Sequence, residues 1–252
     1  AYRVALEARD AGDDVAARAA FSRAVEELRA AADEPEADRF AAARAGCLAL
    51  VGWSLLELGE PGIRGDGPGQ FNEPSDLAIG PDGTLYIVDG HINPDSNRRI
   101  VHMTADGEFI ESWGSKGYGP LQFEGPHAIA VDSRGRMYIG DRTNNRLQVL
   151  SSTGELLAIW THWGRPSGIR IVGDTLYAVD SESRAAVGEY GYNPGWHRGI
   201  YVGHLDGTIT DFIPDPSPSG ATSFPEGIGV SEEGVIWGAS VGDREVLKFV
   251  RR

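Results

Sequence analysis

The sequence predicts a mainly β protein, a β-propeller of four visible blades preceded by a small α-helical segment. Three observations predict it: a proline-headed unit recurs four times, each unit reads as an antiparallel hairpin, and the composition changes abruptly near residue 50. The units cover residues 74–89, 126–141, 166–180 and 225–240, with their prolines 52, 40 and 59 residues apart. In each, apolar and polar residues alternate over five or six positions, reverse at a turn pair, and alternate again, as a half-buried hairpin requires. The turn pairs are Asp82-Gly83, Arg134-Gly135, Gly173-Asp174 and Glu233-Gly234. After the first unit come two further runs, 99–103 and 108–113, and after the second 146–150 and 155–160. Four short strands in a repeat of about 40 to 50 residues is the arithmetic of a propeller blade.

Two domains follow from the composition. Residues 1–51 are rich in Ala, Glu and Arg with one Pro and two Gly, whereas residues 52–252 hold nearly all of the 34 Gly and 14 Pro. Phe21, Val25, Leu28 and Ala32 recur at helical spacing, Gly12 breaks the pattern, and Asp13 or Asp14 can cap the helix that follows. Helices are expected over 2–9, 14–32 and 36–51. Val4, Ala5, Ala8, Gly12, Ala17, Phe21 and Ala24 fall where small residues bring two helices together, and the segment resembles one tetratricopeptide repeat. A single such repeat cannot bury its own apolar face, so this segment must pack on something else.

Composition also bounds the partners. A net charge of -14, from 37 acidic and 23 basic residues, opposes polyphosphates and so argues against nucleic acid. The longest apolar run, residues 46–56, is too short to span a bilayer. A lone Cys47 excludes an internal disulfide and a cysteine-based zinc site. The chain opens on Ala1 without a basic stretch and apolar core, so no signal peptide is legible and the compartment stays open. No Walker-type phosphate loop, dinucleotide fingerprint or nucleophile elbow occurs.

Particular phrases carry a resemblance. Residues 67–74 (Gly-Pro-Gly-Gln-Phe-Asn-Glu-Pro), 119–126 (Gly-Pro-Leu-Gln-Phe-Glu-Gly-Pro) and 141–149 (Asp-Arg-Thr-Asn-Asn-Arg-Leu-Gln-Val) look like NHL repeats, which build propellers. Within that group, residues 71–150 resemble the peptidyl-α-hydroxyglycine amidating lyases, which release a peptide amide and glyoxylate. Glu73-Pro-Ser-Asp-Leu, Val88-Asp-Gly-His, Phe109-Ile-Glu-Ser-Trp-Gly, Phe123-Glu-Gly-Pro-His-Ala-Ile and Asp141-Arg carry the match. The resemblance implies a six-bladed ring and a secreted or periplasmic setting. Two architectures stay open: residues 54–59 supply the missing strand of the last blade and latch a four-bladed ring, or the chain is part of a truncated six-bladed ring.

In a propeller the loops leading into each first strand converge at the mouth of the central channel. Ser75, His127, Ser167 and Glu226, each following an aligned proline, should therefore face one another. The resemblance implies that this position holds zinc. His127 matches one ligand and Glu226 stands where another histidine would be, and a His with a carboxylate can hold Zn²⁺ with an open position. The structural alternative is that His127 donates to a neighbouring carbonyl. The family's catalytic tyrosine follows an Asp-Gly, and here His91 follows Asp89-Gly90, so His91 takes the proton-transfer role or ligates metal. Arg142 matches an arginine that holds the substrate carboxylate. Otherwise it pairs within its blade with Asp89 or Asp141. Asp89, Asp141 and Asp180, with Asn97 and Asn145, are expected to bind turn backbone. Asp76 and Asp132 are read as mouth carboxylates that bind Ca²⁺ or tune a histidine. The aromatic insertion 183–198 is expected to fold over the mouth or pack on the surface. Two functions compete, a metal-assisted carbon-nitrogen lyase and a non-catalytic scaffold that binds a peptide or protein on the propeller face.

Overall fold

A computed structural model of the chain describes residues 64–105, 107–216, 224–231, 233–240 and 245–249. The helical segment and the latching strand expected over 54–59 lie outside them. Blade 1 comprises β1 (Pro74–Ile79), β2 (Leu85–Asp89), β3 (Arg99–Met103) and β4 (Phe109–Trp113). A short parallel pair, β5 (Ser115–Lys116) and β6 (Gln122–Phe123), leads into blade 2. That blade comprises β7 (Pro126–Val131), β8 (Met137–Asp141), β9 (Arg146–Leu150) and β10 (Leu156–Trp160). Blade 3 holds β11 (Pro166–Val172), β12 (Thr175–Asp180), β13 (Gly199–His204) and β14 (Ile209–Pro214), and blade 4 holds β15 (Gly227–Val230), β16 (Ile236–Ser240) and β17 (Glu245–Phe249). Every blade is an antiparallel meander in chain order.

The hairpins expected from alternation are all present. The sequence missed that the third unit continues into β13 and β14, because insertion 183–198 separates them from β12 and breaks the spacing. Inner strands β1, β7, β11 and β15 pack side by side in that order. The sheets bury their apolar faces against one another. Tyr86, Val88 and Ile100 of blade 1 meet Ile129, Met137 and Ile139 of blade 2. Tyr138, Leu147 and Val149 of blade 2 meet Ile169, Leu176 and Tyr201 of blade 3 around Trp163, and Val179 and Ile200 meet Phe224, Val230 and Ile236.

The aspartates that end the second strands of blades 1 to 3 tie the blades to their leading loops, as expected. Asp89 accepts from the Asn72 N–H at 2.8 Å, the Asn97 amide at 2.7 Å and Arg99 Nε at 2.8 Å. Asp141 accepts from the Glu124 N–H at 3.0 Å, the Asn144 amide at 2.7 Å and Arg146 Nε at 2.9 Å. Asn145 adopts the left-handed conformation that closes the short 3-10 turn Arg142–Asn144, and its amide binds the Tyr192 carbonyl. Asp180 accepts from the Arg165 and Ser183 N–H groups, both at 2.8 Å. These buried carboxylates are fully partnered, so they hold the fold and are not free for chemistry.

Candidate functional site

The proline that opens a blade faces the aspartate that closes its second strand: Pro74 opposite Asp89, Pro126 opposite Asp141, Pro166 opposite Asp180. In all three blades the register then slips by one residue, so Ser75, His127 and Ser167 sit in the irregularity as the extra residue. A bulge re-aims a side chain. Ser75 Oγ donates to the Pro126 carbonyl of blade 2 at 3.1 Å, and His127 Nδ1 lies 2.7 Å from the Ser167 carbonyl of blade 3. A carbonyl only accepts, so Nδ1 carries the proton of His127 and its Nε2 lone pair is free. That lone pair lies 4.0 Å from Glu226 Oε2 of blade 4.

His91 lies just past the end of β2 in blade 1 and beside His127, their ring centroids 5.0 Å apart. Arg142 Nη2 approaches His91 Nε2 at 3.1 Å. Guanidinium only donates, so His91 Nε2 accepts and the neutral ring holds its proton on Nδ1. Arg142 pairs through Nη1 with Glu182 Oε1 of blade 3 at 3.3 Å, and the other oxygen of Glu182 takes Arg165 Nε at 2.9 Å. Arg142 therefore bonds neither Asp89 nor Asp141, which hold Arg99 and Arg146. Among the described residues its Nε is buried without a partner.

Electrostatics keep both rings neutral. Burial pushes His127 down to about 3, with Arg142 adding to it, against the opposing pull of the Ser167 carbonyl. Burial and then Arg142 lower His91 as well. Burial raises the Glu226 carboxyl. The mouth is thus a partly dry cluster of two neutral imidazoles, a buried guanidinium and two carboxylates.

Four residues expected at the site, His91, His127, Arg142 and Glu226, come together here. Two other expected residues take backbone partners. Asp132 lies in the turn after β7, at the far end of the strand from Pro126, where it accepts from the N–H groups of Arg134 and Arg136, both at 2.9 Å, and from Arg136 Nε at 2.7 Å. Asp76 spends one oxygen on the Leu77 N–H and the other on the Ile129 N–H of blade 2, both at 2.9 Å. Sequence reasoning missed Glu73, Arg165 and Glu182. The repeat alignment held the signal: Glu73 and Arg165 precede the aligned prolines as Gly125 and Phe224 do, and Glu182 occupies the column of His91 two residues after the aspartate. Insertion 183–198 stands beside the cluster, with the Tyr190 ring 5.1 Å from the Arg165 guanidinium and the Tyr192 carbonyl accepting from the Asn145 amide at 3.3 Å. Trp196 instead packs inward on Tyr201.

The donor set suits a divalent metal in one respect. His127 gives its Nδ1–H to a carbonyl and keeps Nε2 free beside a carboxylate, the arrangement that fixes a ligating imidazole. The protein donors are two. Among the described residues no three His, Cys, Asp or Glu side chains are grouped to hold an ion. No helix among them is long and apolar enough to cross a membrane.

Residues 123–150, from β6 to the end of β9, match the NHL repeat family model. The fold is that of a β-propeller, and this match marks residues 123–150 as an NHL repeat within it. The chain is similar to mouse (Mus musculus) NHL repeat-containing protein 3, 39% identical over 129 residues that make up 48% of this chain and 36% of that protein. It is also similar to mouse peptidyl-glycine alpha-amidating monooxygenase, 35% identical over 205 residues, 77% of this chain and 20% of that protein. It therefore spans about a third of the first relative and about a fifth of the second. Among solved structures, a catalytically inactive virginiamycin B lyase from Staphylococcus aureus with quinupristin superposes with a TM-score of 0.51 at 16% identity, over 74% of this chain and 57% of that one. At that identity the likeness concerns the fold alone.

Proposed function

We propose that the propeller mouth binds the carboxyl end of a peptide and breaks the carbon-nitrogen bond of a terminal α-hydroxyglycine, releasing a peptide amide and glyoxylate. The observation that carries this reading is the convergence of His91, Arg142, His127 and Glu226, drawn from three blades, on one partly dry mouth. Similarity to an amidating monooxygenase over most of the chain supports it.

Arg142 binds the terminal carboxylate through its guanidinium. It does so by exchanging its bond to His91, and that exchange uncovers the Nε2 lone pair of His91. The freed lone pair takes the hydroxyl proton. The O–H electrons form the aldehyde carbonyl, the C–N bond breaks, and the nitrogen recovers the proton from His91, so the reaction consumes no net proton. His127 and Glu226 would hold a zinc ion, which supplies polarisation of the hydroxyl oxygen. Glu182 keeps Arg142 in place between substrates.

The two-donor set favours a second reading, a propeller that holds a peptide or protein on this face without cleaving it. Incubation with an N-acylated peptide ending in α-hydroxyglycine separates the two. Equimolar glyoxylate and peptide amide, lost in His91→Gln, support the lyase. Peptide binding without glyoxylate overturns it in favour of the scaffold.

A further inference from the structure

Glu73 carries a buried oxygen that none of the described residues uses. Its Oε1 accepts from the Asn93 amide at 2.7 Å, whereas Oε2 is buried without a hydrogen-bond partner among the described residues. A buried acceptor left unpaired is unfavourable, and more so when the group is charged. The backbone adds a second cost. Glu73 sits in the left-handed region at φ +65, where a residue with a Cβ is disfavoured. Its blade 2 counterpart, Gly125, has no Cβ and does not adopt a positive φ, so the turn itself does not demand this conformation. Two unfavourable features on one residue mark a position kept for something other than stability.

The location says what. The Glu73 carbonyl accepts the Gly90 N–H at 3.1 Å, which sets Glu73 against the residue that precedes His91. The Glu73 carboxylate is near enough to favour the charged form of the His91 ring. Asn93, from the insertion after His91, fixes the orientation of the carboxylate.

We infer that Glu73 is a ligand-binding residue of the mouth, its Oε2 accepting a hydrogen bond from an N–H or O–H donor next to the terminal carboxylate of a bound peptide. The inference rests on the peptide-end reading above and adds the group that recognises the donor. Arg142 selects the anion, and Glu73 selects what lies beside it.

Glu73→Gln tests this with little change of shape. The amide keeps an oxygen for Asn93 and turns the ligand-facing atom from acceptor to donor. Calorimetric titrations would use three N-acylated dipeptides, ending in glycine (N–H only), α-hydroxyglycine (N–H and O–H) and sarcosine (neither). Expected in the parent protein is at least about tenfold weaker binding of the sarcosine peptide than of the best donor-bearing peptide, as for a lost hydrogen bond to a charged group. Glu73→Gln should erase that preference while melting at the same or a higher temperature. A preference shown by the glycine peptide assigns the donor to the amide, and one shown by the hydroxyglycine peptide alone assigns it to the hydroxyl. An unchanged preference in Glu73→Gln, or a lower melting temperature with uniformly weaker binding, overturns the inference. Binding without glyoxylate release fails the lyase reading and leaves Glu73 standing, and no binding of any peptide sinks both.

Discussion

Asp76 shows how one carboxylate can serve the fold at a cost in charge. Its two oxygens join β1 to the Ile129 N–H of the next blade, and burial raises its carboxyl to about 6. A carboxyl raised on folding takes up its proton more readily in the folded chain. Its contribution is therefore most favourable below the unfolded value of 3.8 and declines as pH rises through 6. Asp76→Asn should remove this pH dependence, seen as flatter denaturation midpoints between pH 4 and pH 7. It should also cost about 1 to 3 kcal/mol at neutral pH by setting an amide N–H against a backbone donor. Glu182 is a second case. It lies between two buried guanidiniums, so Glu182→Ala should cost about 3 to 5 kcal/mol in urea unfolding, as for a buried ion pair stripped of one partner. An unchanged midpoint would mean that Arg142 and Arg165 are held without it. Of the site residues, His127 and Arg142 were legible from the phrases around them. Arg165 and Glu182 were marked only by their columns in the repeat alignment, because a charged residue looks the same in sequence whether it faces water or another blade.

At the scale of elements, alternation made the hairpins legible and hid the bulges. A register slip of one residue leaves no mark in composition, yet it is what aims His127 at the next blade. The loss of β13 and β14 from the sequence reading has a similar cause, since repeat spacing fails where a long insertion intervenes. Tryptophans at strand ends hold neighbouring blades together. Trp113 lies over the turn of blade 2 at Gly154, and Trp160 over that of blade 3 at Gly207. A Cβ at Gly154, where φ is +79, would fall 2.3 Å from the Trp113 indole nitrogen. Gly173 also has positive φ, at +57, but nothing lies within 4 Å of its Cβ position. Gly173→Ala should therefore cost about 1 kcal/mol, the backbone share alone, and Gly154→Ala about 1 to 3 kcal/mol more. Chemical denaturation of the two variants side by side measures the difference, and equal losses would show that the tryptophan contact contributes nothing.

Across the whole molecule, the arc β1, β7, β11, β15 brings together residues from position 91 to position 226. Sequence alone placed these residues on the leading loops and second-strand ends of separate blades, and the repeat supplied their convergence, because every blade presents the same end to the axis. It did not supply their state. Both imidazoles are neutral and one is capped by Arg142, which follows from packing between blades and is invisible in any single repeat. We propose that this mouth works as a metal-assisted lyase site with His127 as a ligand. Elemental analysis of the purified protein, reloaded with zinc and desalted, alongside His127→Ala tests it most directly. The prediction is about one zinc retained per chain in the parent protein and none in the variant. Equal zinc in both, or none in either, would contradict it.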